Sequence, residues 1–379
     1  MSTSFARPES NGNLFAEAAA FLETLPRLTP QEFVKAIRAH RYVAQDAAVK
    51  AVSLAAFRHL ERLRRIFRDR IKPEALPPKT NLLFVGPTGC GKTYLVEILF
   101  RDLLTLPTVI VDMTGYSETG YVGQDVNTIL TRLLYAADMS PARAAIGLVC
   151  LDEFDKLASG QNNAVFAGAG TTKDVSGLGV QRELLKLLER AEVAVPVEIT
   201  HAEYAPKLMV STEHIAFIAC GAFSGLKGLI ERETREGIGF GREPAGSGAP
   251  RIAVTYTAEE VELTRNFMQY GFLPELIGRF QRVVPFHALT AADLELILKG
   301  RVLREYRKEF ALAGIELEVD KRVLERVVAE SVKKETGARA LESAFVRLLE
   351  DAAFEAYSKP GVKKIRLRAA ANGAEFELE

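Results

Sequence analysis

"GPTGCGKT", Gly86 to Thr93, decides how this chain folds. It matches the phosphate-binding pattern G-x-x-x-x-G-K-[ST], and its flanks suit that reading. An apolar run, "NLLFVG" (81–86), precedes it, and a helical run, "YLVEILFRDLL", follows. Glycines let successive backbone N–H groups turn inward around phosphate oxygens, and the start of the helix adds the positive end of its dipole. Gly86, Pro87, Thr88, Gly89, Cys90, Gly91, Lys92 and Thr93 are therefore expected to cradle ATP or GTP. Lys92 would reach the β- and γ-phosphates and Thr93 would ligate Mg2+. A chance glycine turn would not come with strand, loop and helix in register.

"GLVCLDEFDK" (147–156) supplies the second half of the site. An apolar strand delivers Asp152 and Glu153 at its C-terminal end, the edge where open α/β sheets bind ligands. Asp152 is expected to hold Mg2+, directly or through water, and Glu153 to polarise the attacking water as general base. The competing reading is an acidic strand-to-helix cap, with Asp155 capping the next helix. That reading is the weaker one downstream of a phosphate loop, so hydrolysis is expected as well as binding.

Three more apolar runs, 108–113, 146–153 and 214–221, read as buried strands separated by helical patterns. That alternation predicts an α/β fold, a parallel sheet wrapped by helices. Before it, "LTPQEFVKAIRAH" carries Thr29 as N-cap, Pro30 at the first helical position and Glu32 at the third, a capping-box start. From Val49 a long helix repeats Val49, Val52, Ala56, Leu60, Leu63 and Phe67 as one stripe, and Arg58, Arg62, Arg64, Arg65 and Arg68 read as its solvated face. "KPEALPPK" then ends the helix as a linker. Capping-box patterns recur at Thr257 with Glu260 and at Thr290 with Asp293, so the chain after about 257 is expected to be mostly helical. Short strands are expected at 315–320, 363–369 and 375–379. The organisation is thus a short, partly disordered lead-in (1–28), a large domain (29–284) and a smaller, mostly helical α+β domain (285–379).

Composition narrows the class. Lys plus Arg and Asp plus Glu both number 49, so no global basic field draws the chain to nucleic acid or anionic lipid. Cys90, Cys150 and Cys220 form no C-x-x-C pair, which argues against zinc and against a disulfide framework. No run reaches the ~18 apolar residues of a membrane span. Glu9, Glu17 and Glu23 interrupt any signal-peptide core. A cytoplasmic protein with no membrane partner is expected.

From about Thr29 to residue 360 the sequence resembles the ClpX family of AAA+ unfoldases, with landmarks in the same order. "TGYVGQDV" (119–126) looks like the family's central-pore loop, Gly120-Tyr121-Val122-Gly123. An aromatic ring between glycines offers a sequence-tolerant grip on a mobile hinge, although a Tyr packed under a turn has the same local sequence. "KDVSGLGVQRELLKLLE" (173–189) resembles the segment that follows the second ATPase motif, which places a second pore loop at roughly 164–176; the family has Arg where Lys173 stands. "FIACGAFSGL" (217–226) resembles the sensor-1 strand, around Cys220 and Gly221. "GFLPELIGRF" (271–280) looks like the arginine-finger segment, which implies that Arg279 reaches a neighbour's ATP. The alternative is a surface Arg paired with Glu275. "KETGARALES" (334–343) resembles the sensor-2 motif, with Arg339 reaching the bound nucleotide. "HRYVAQDAAVKA" (40–51) is similar to the adenine-side segment and implies base contacts from Tyr42 and Val43; the glycine expected there is Ala44.

The loop "REGIGFGREPAGSG" (235–248) carries Ile238-Gly239-Phe240, similar to the tripeptide with which the family docks into clefts on a ClpP-type peptidase. The resemblance implies an AAA+ ATPase that uses ATP and Mg2+, forms a homohexamer, and threads protein substrates through an axial pore into that peptidase. Two features depart from the family. No cysteine occurs before Thr29, so its zinc-binding N-terminal domain is not expected, and its charged pore-entrance loop is not recognisable in 195–209. A remodeller that works without a protease is the alternative. A DNA-directed AAA+ motor or loader is disfavoured by the zero net charge and the Gly-Tyr-Val-Gly loop.

Overall fold

The computed structural model describes residues 11–116, 125–158, 176–189, 191–198, 206–228, 264–334, 337–370 and 373–379. Gly120–Gly123, Ile238–Phe240 and the Thr257–Glu260 cap lie outside them.

The phosphate loop leaves strand β1 (Leu82–Val85), which is buried along its whole length. β1 belongs to a five-stranded sheet with β2 (Thr108–Asp112), β3 (Leu148–Asp152), β6 (Ala216–Gly221) and β7 (Arg282–Pro285). The strand order is β2-β3-β6-β1-β7, and every pairing is parallel. The continuous apolar runs follow from coverage of both faces. Leu83, Val85, Val149, Leu151, Phe217 and Ala219 enter one core, while Leu82, Phe84, Leu148, Cys150, Ile218 and Cys220 enter the other. The side chain period of two thus sorts one apolar run between two cores. Register aligns Val85 with Gly221 and Asp112 with Asp152, so the strand ends carrying the chemistry finish on one edge.

Two strand features had no sequence expectation. Among the described residues β7 is a four-residue edge strand that pairs only with β1, too short for periodicity to show. β4 (Glu192–Pro196) and β5 (Lys207–Ser211) form an antiparallel hairpin whose inward residues Val195 and Val210 join the first core.

The segment read as a lead-in contains a helix, α1 (Asn11–Thr24), which differs from expectation. Its Ala18 and Leu22 are buried in the second core, and Ser140 Oγ donates a hydrogen bond to Glu17 Oε1 at 2.6 Å. α2 (Pro30–Ala39) starts with the expected capping box: the Thr29 hydroxyl accepts from Glu32 N, and the Glu32 carboxylate accepts from Thr29 N at 2.7 Å. α3 (Asp46–Phe67) buries the whole expected stripe. Its arginine face needs correction. Arg58, Arg65 and Arg68 are exposed, but Arg62 and Arg64 are buried. Arg62 donates to Pro77 O at 2.8 Å and Arg64 to Pro26 O at 3.2 Å. Prolyl stretches present carbonyls without compensating donors, and a long guanidinium side chain on the packed helix supplies them.

After β7 a second capping box, Thr290 with Asp293, starts the helix Ala291–Ile297. Helices Leu303–Leu312, Lys321–Lys333 and Ala338–Ser358 follow, with β8 (Glu316–Val319), β9 (Lys364–Ala370) and β10 (Gly373–Leu378) forming a sheet of order β10-β9-β8. Leu298, Phe310, Leu341, Phe345, Ile365 and Leu367 make its own core.

His59 on α3 is buried, and burial, reinforced by the nearby cations Lys79 and Arg62, pushes its pKa from 6.5 down to about 4. The folded protein therefore holds His59 neutral where the unfolded chain binds a proton. That stability contribution is complete above about pH 6.5 and is lost as pH falls towards 4, at up to ~1.4 kcal/mol per pH unit. His59→Phe should flatten this part of the slope, which urea denaturation midpoints at pH 7 and pH 5 would reveal.

Candidate nucleotide site

The loop after β1 wraps the N-terminus of the helix Lys92–Val96. At Gly91 the backbone is left-handed (φ 95°), and a Cβ there would stand 3.0 Å from the Tyr42 hydroxyl. That tight approach is used, because Tyr42 OH donates to Gly91 O at 3.0 Å. Lys92 is buried with its ammonium inside the loop, donating to Gly86 O at 2.6 Å and Pro87 O at 2.9 Å.

Thr93 Oγ1 donates to Asp152 Oδ2 at 2.8 Å, so hydroxyl and carboxylate converge from two adjacent elements. Hard oxygen donors of this kind fit a small divalent cation such as Mg2+. Glu153 follows in a left-handed conformation (φ 52°), and its N–H donates to Asp152 Oδ1 at 3.0 Å. This turn separates the two acids: Asp152 faces Thr93, while Glu153 sits half-buried on the wall of the adjoining cavity.

Asp155 does not cap the next helix. It is fully buried, and its Oδ1 accepts Ala222 N at 3.0 Å, which joins the end of β3 to the end of β6. The sensor-1 expectation is divided by the structure. Gly221 and Ala222 line the cavity, whereas Cys220 turns into the core with its Sγ 3.8 Å from Cys150 Sγ. Burial pushes the Cys220 thiol pKa well up.

The cavity has a volume of about 350 Å³. Thr88 to Thr93, Asp152 and Glu153 line it, and so do Tyr42 and Val43. Residues not anticipated from sequence complete the wall: Tyr94, Leu289, Ile297, Arg301 and Glu342. The Arg301 guanidinium lies 5.2 Å from the centre of the Tyr94 ring. Leu289, Ile297 and Arg301 had no local signal, because only the folding of the second unit over the first gives them a site. Gln45 helps fix that arrangement. Its side chain amide donates to His287 O at 2.6 Å and accepts from His287 N at 3.0 Å, pairing with the backbone just past β7.

Arg339 also lines the cavity, from the first turn of Ala338–Ser358. Ala338 N donates to Gly89 O at 3.1 Å, so this helix docks directly on the phosphate loop. Arg279 is placed elsewhere. It is not among the residues lining the cavity; it is about half exposed and pairs with Glu189 rather than with Glu275. Its backbone carbonyl accepts from buried Asn81 Nδ2 at 3.0 Å.

Two family models match the chain. Residues 77–283 match the AAA domain (Cdc48 subfamily), and residues 289–367 match the C-terminal, D2-small domain of ClpB protein. Among curated relatives, the ATP-dependent Clp protease ATP-binding subunit ClpX 3 of Methylococcus capsulatus is 35% identical over 336 residues, 85% of this chain and 75% of that protein. The ClpX subunits of Treponema denticola and Azotobacter vinelandii are 33% and 34% identical, covering 89% and 88% of this chain and 79% and 76% of theirs.

The chain belongs to the ClpX-type AAA+ family. It is an ATPase with an α/β P-loop AAA+ fold, followed by a smaller helical unit. Among the described residues of this ClpX-type chain, no helix is long and apolar enough to cross a membrane.

Gly337, just before the docked helix, has φ 59° and ψ −140°, and a Cβ there would meet Gly89 O at 2.6 Å. Only glycine occupies such backbone readily. Gly337→Ala should push Arg339 and its helix off the phosphate loop. We expect ATP affinity to fall about tenfold, for a strain of ~1.4 kcal/mol, measured by titration with a fluorescent ATP analogue.

Proposed function

We propose that this ATPase assembles as a homohexamer and uses ATP and Mg2+ to unfold protein substrates and thread them through an axial pore into a ClpP-type peptidase. The observation that carries the proposal is the division of the site. Phosphate loop, Asp152, Glu153 and Arg339 share one cavity wall, while Arg279 of the same chain stands away from it on the surface. An arginine finger that serves a neighbour in a ring requires that division.

Within each site Tyr42 and Val43 contact the base side, and the loop N–H groups hold the phosphates. Lys92 neutralises charge on the β- and γ-phosphates. Thr93, and Asp152 directly or through water, would hold Mg2+, which when bound would neutralise phosphate charge. Glu153 aligns the attacking water and accepts its proton on a carboxylate oxygen. Arg339 from the second unit and Arg279 from the neighbouring subunit oppose the charge that builds on the transferred phosphoryl group. Tyr121, between Gly120 and Val122-Gly123, grips the polypeptide, and Ile238-Gly239-Phe240 docks on the peptidase. The names of the relatives, as ATP-binding subunits of an ATP-dependent Clp protease, support the coupling to proteolysis.

Glu153→Gln should still bind ATP but turn over at least ~100-fold more slowly, measured by phosphate release; normal turnover would remove it as the base. The whole reading is tested by degradation of a folded fluorescent reporter with this protein, a ClpP-type peptidase and ATP. Loss of fluorescence with release of peptides is expected for wild type. Phe240→Ala should keep ATP hydrolysis and fluorescence loss but release no peptides. Wild-type unfolding without peptide release would instead identify a protease-independent remodeller.

A further inference from the structure

Away from the cavity, one buried polar side chain stands out for what it joins. Gln181, on the helix Ser176–Leu188, is fully buried in the first core. Its Nε2 donates to Leu157 O at 2.8 Å and to Gly271 O at 3.1 Å, and its Oε1 accepts from Leu273 N at 2.8 Å. Both donors and one acceptor are thereby used, and two carbonyls facing one N–H leave only one sensible orientation of the amide. No other side chain of this length offers both functions; glutamate cannot donate and methionine can do neither.

The partners matter more than the number of bonds. Leu157 ends the turn that begins immediately after Glu153. Gly271 and Leu273 begin the segment that leads through the helix Pro274–Ile277 to Arg279. Aromatic packing repeats the connection, since the Phe154 ring, next to Glu153, lies 5.0 Å from Phe272 and 5.5 Å from Phe280. Glu189, just past the same helix, pairs with the Arg279 guanidinium. That pair is nearly half exposed on both sides, so water competes with it. Gln181 has no such competition.

We propose that Gln181 is the positioning residue of the arginine finger: it fixes the Arg279 segment to the turn that carries Glu153, so that the placement of the finger in a neighbour's site follows the geometry of its own. The proposal rests on the reading of Arg279 as a finger acting in trans. Loss of the amide removes three hydrogen bonds at once, and the segment shifts to recover partners. A displacement of about 1 Å at a charge-stabilising group costs up to ~100-fold in rate.

The test is a double-mutant cycle on assembled full-length protein, with steady-state ATP hydrolysis, fluorescent-nucleotide binding and thermal melting as readouts. Gln181→Leu should lower kcat by at least ~10-fold while the affinity for the nucleotide analogue changes less than ~3-fold. Combined with Arg279→Ala, it should fall no further than Arg279→Ala alone, because both changes remove one function. Defects that multiply, or a Gln181→Leu protein with normal turnover beside an impaired Arg279→Ala, overturn the proposal. Normal turnover of Arg279→Ala overturns the finger reading itself and the proposal with it. Should melting show Gln181→Leu unfolded, Gln181→Met, closer to glutamine in length and shape, decides by the same cycle. It removes both amide donors without setting a charge against two carbonyls, so a lowered, non-additive kcat is expected, and multiplying defects overturn the proposal.

Discussion

The buried carboxylate of Asp155 governs the geometry of everything around the cavity. Parallel strands hydrogen-bond to one another along their length but leave their C-terminal ends to be fixed by other means. At the end of β3 the chain must turn sharply through left-handed Glu153, and at the end of β6 it must pass Gly221 into the cavity wall. Asp155 accepts Ala222 N across that gap with no exposure to water. The ladder between the two strands ends at Leu151 and Ala219, so this contact is what ties them beyond it. Phe154, beside it, packs on Phe272 and Phe280, so the same turn is anchored below as well.

Among the described residues, the hydrogen bonds that attach the second unit lie around the cavity. Ala338 N binds Gly89 O, Gln45 pairs with both backbone groups of His287, and Arg41 Nη1 donates to Gly300 O at 3.0 Å. These are polar contacts between small groups and backbone rather than a broad apolar seam. The apolar cores remain separate, with Phe310, Phe345 and Ile365 in one and Phe84, Phe286 and Val52 in another. Contacts of this kind are readily exchanged for water, so they tie the units less firmly than a shared apolar core would.

How much of this the sequence disclosed depended on whether a signal was local. The loop 86–93, the Asp152-Glu153 pair and the capping boxes at Thr29 and Thr290 are legible because spacing within a few residues carries their chemistry. Strands β1, β2, β3 and β6 are legible because burial on both faces makes them uninterrupted apolar runs. β7 was not, since a four-residue edge strand has no period to detect. Arg62 and Arg64 read from sequence as part of a solvated face because their partners, Pro77 and Pro26, lie in other segments. The helix α1 was missed for a related reason: its buried Ala18 and Leu22 form too sparse a pattern until α3 is there to receive them. Tyr94 had the best local signal among the unanticipated cavity residues, being adjacent to Thr93. Arg301 and Glu342 had none, and the role of Asp155 is not legible locally because its partner, Ala222, is far along the chain.

A cavity walled by both units has a thermodynamic consequence. Ligand that touches both walls binds the docked arrangement more tightly than the separated one, and that difference in binding free energy becomes cohesion between the units. The exchange runs equally in reverse. Any load that pulls the helix Ala338–Ser358 away from Gly89 weakens nucleotide by the factor with which nucleotide resists the pull. The hydrogen bond from Ala338 to the phosphate loop is thus a point where separation of the units and loss of ligand are tied by one coupling free energy.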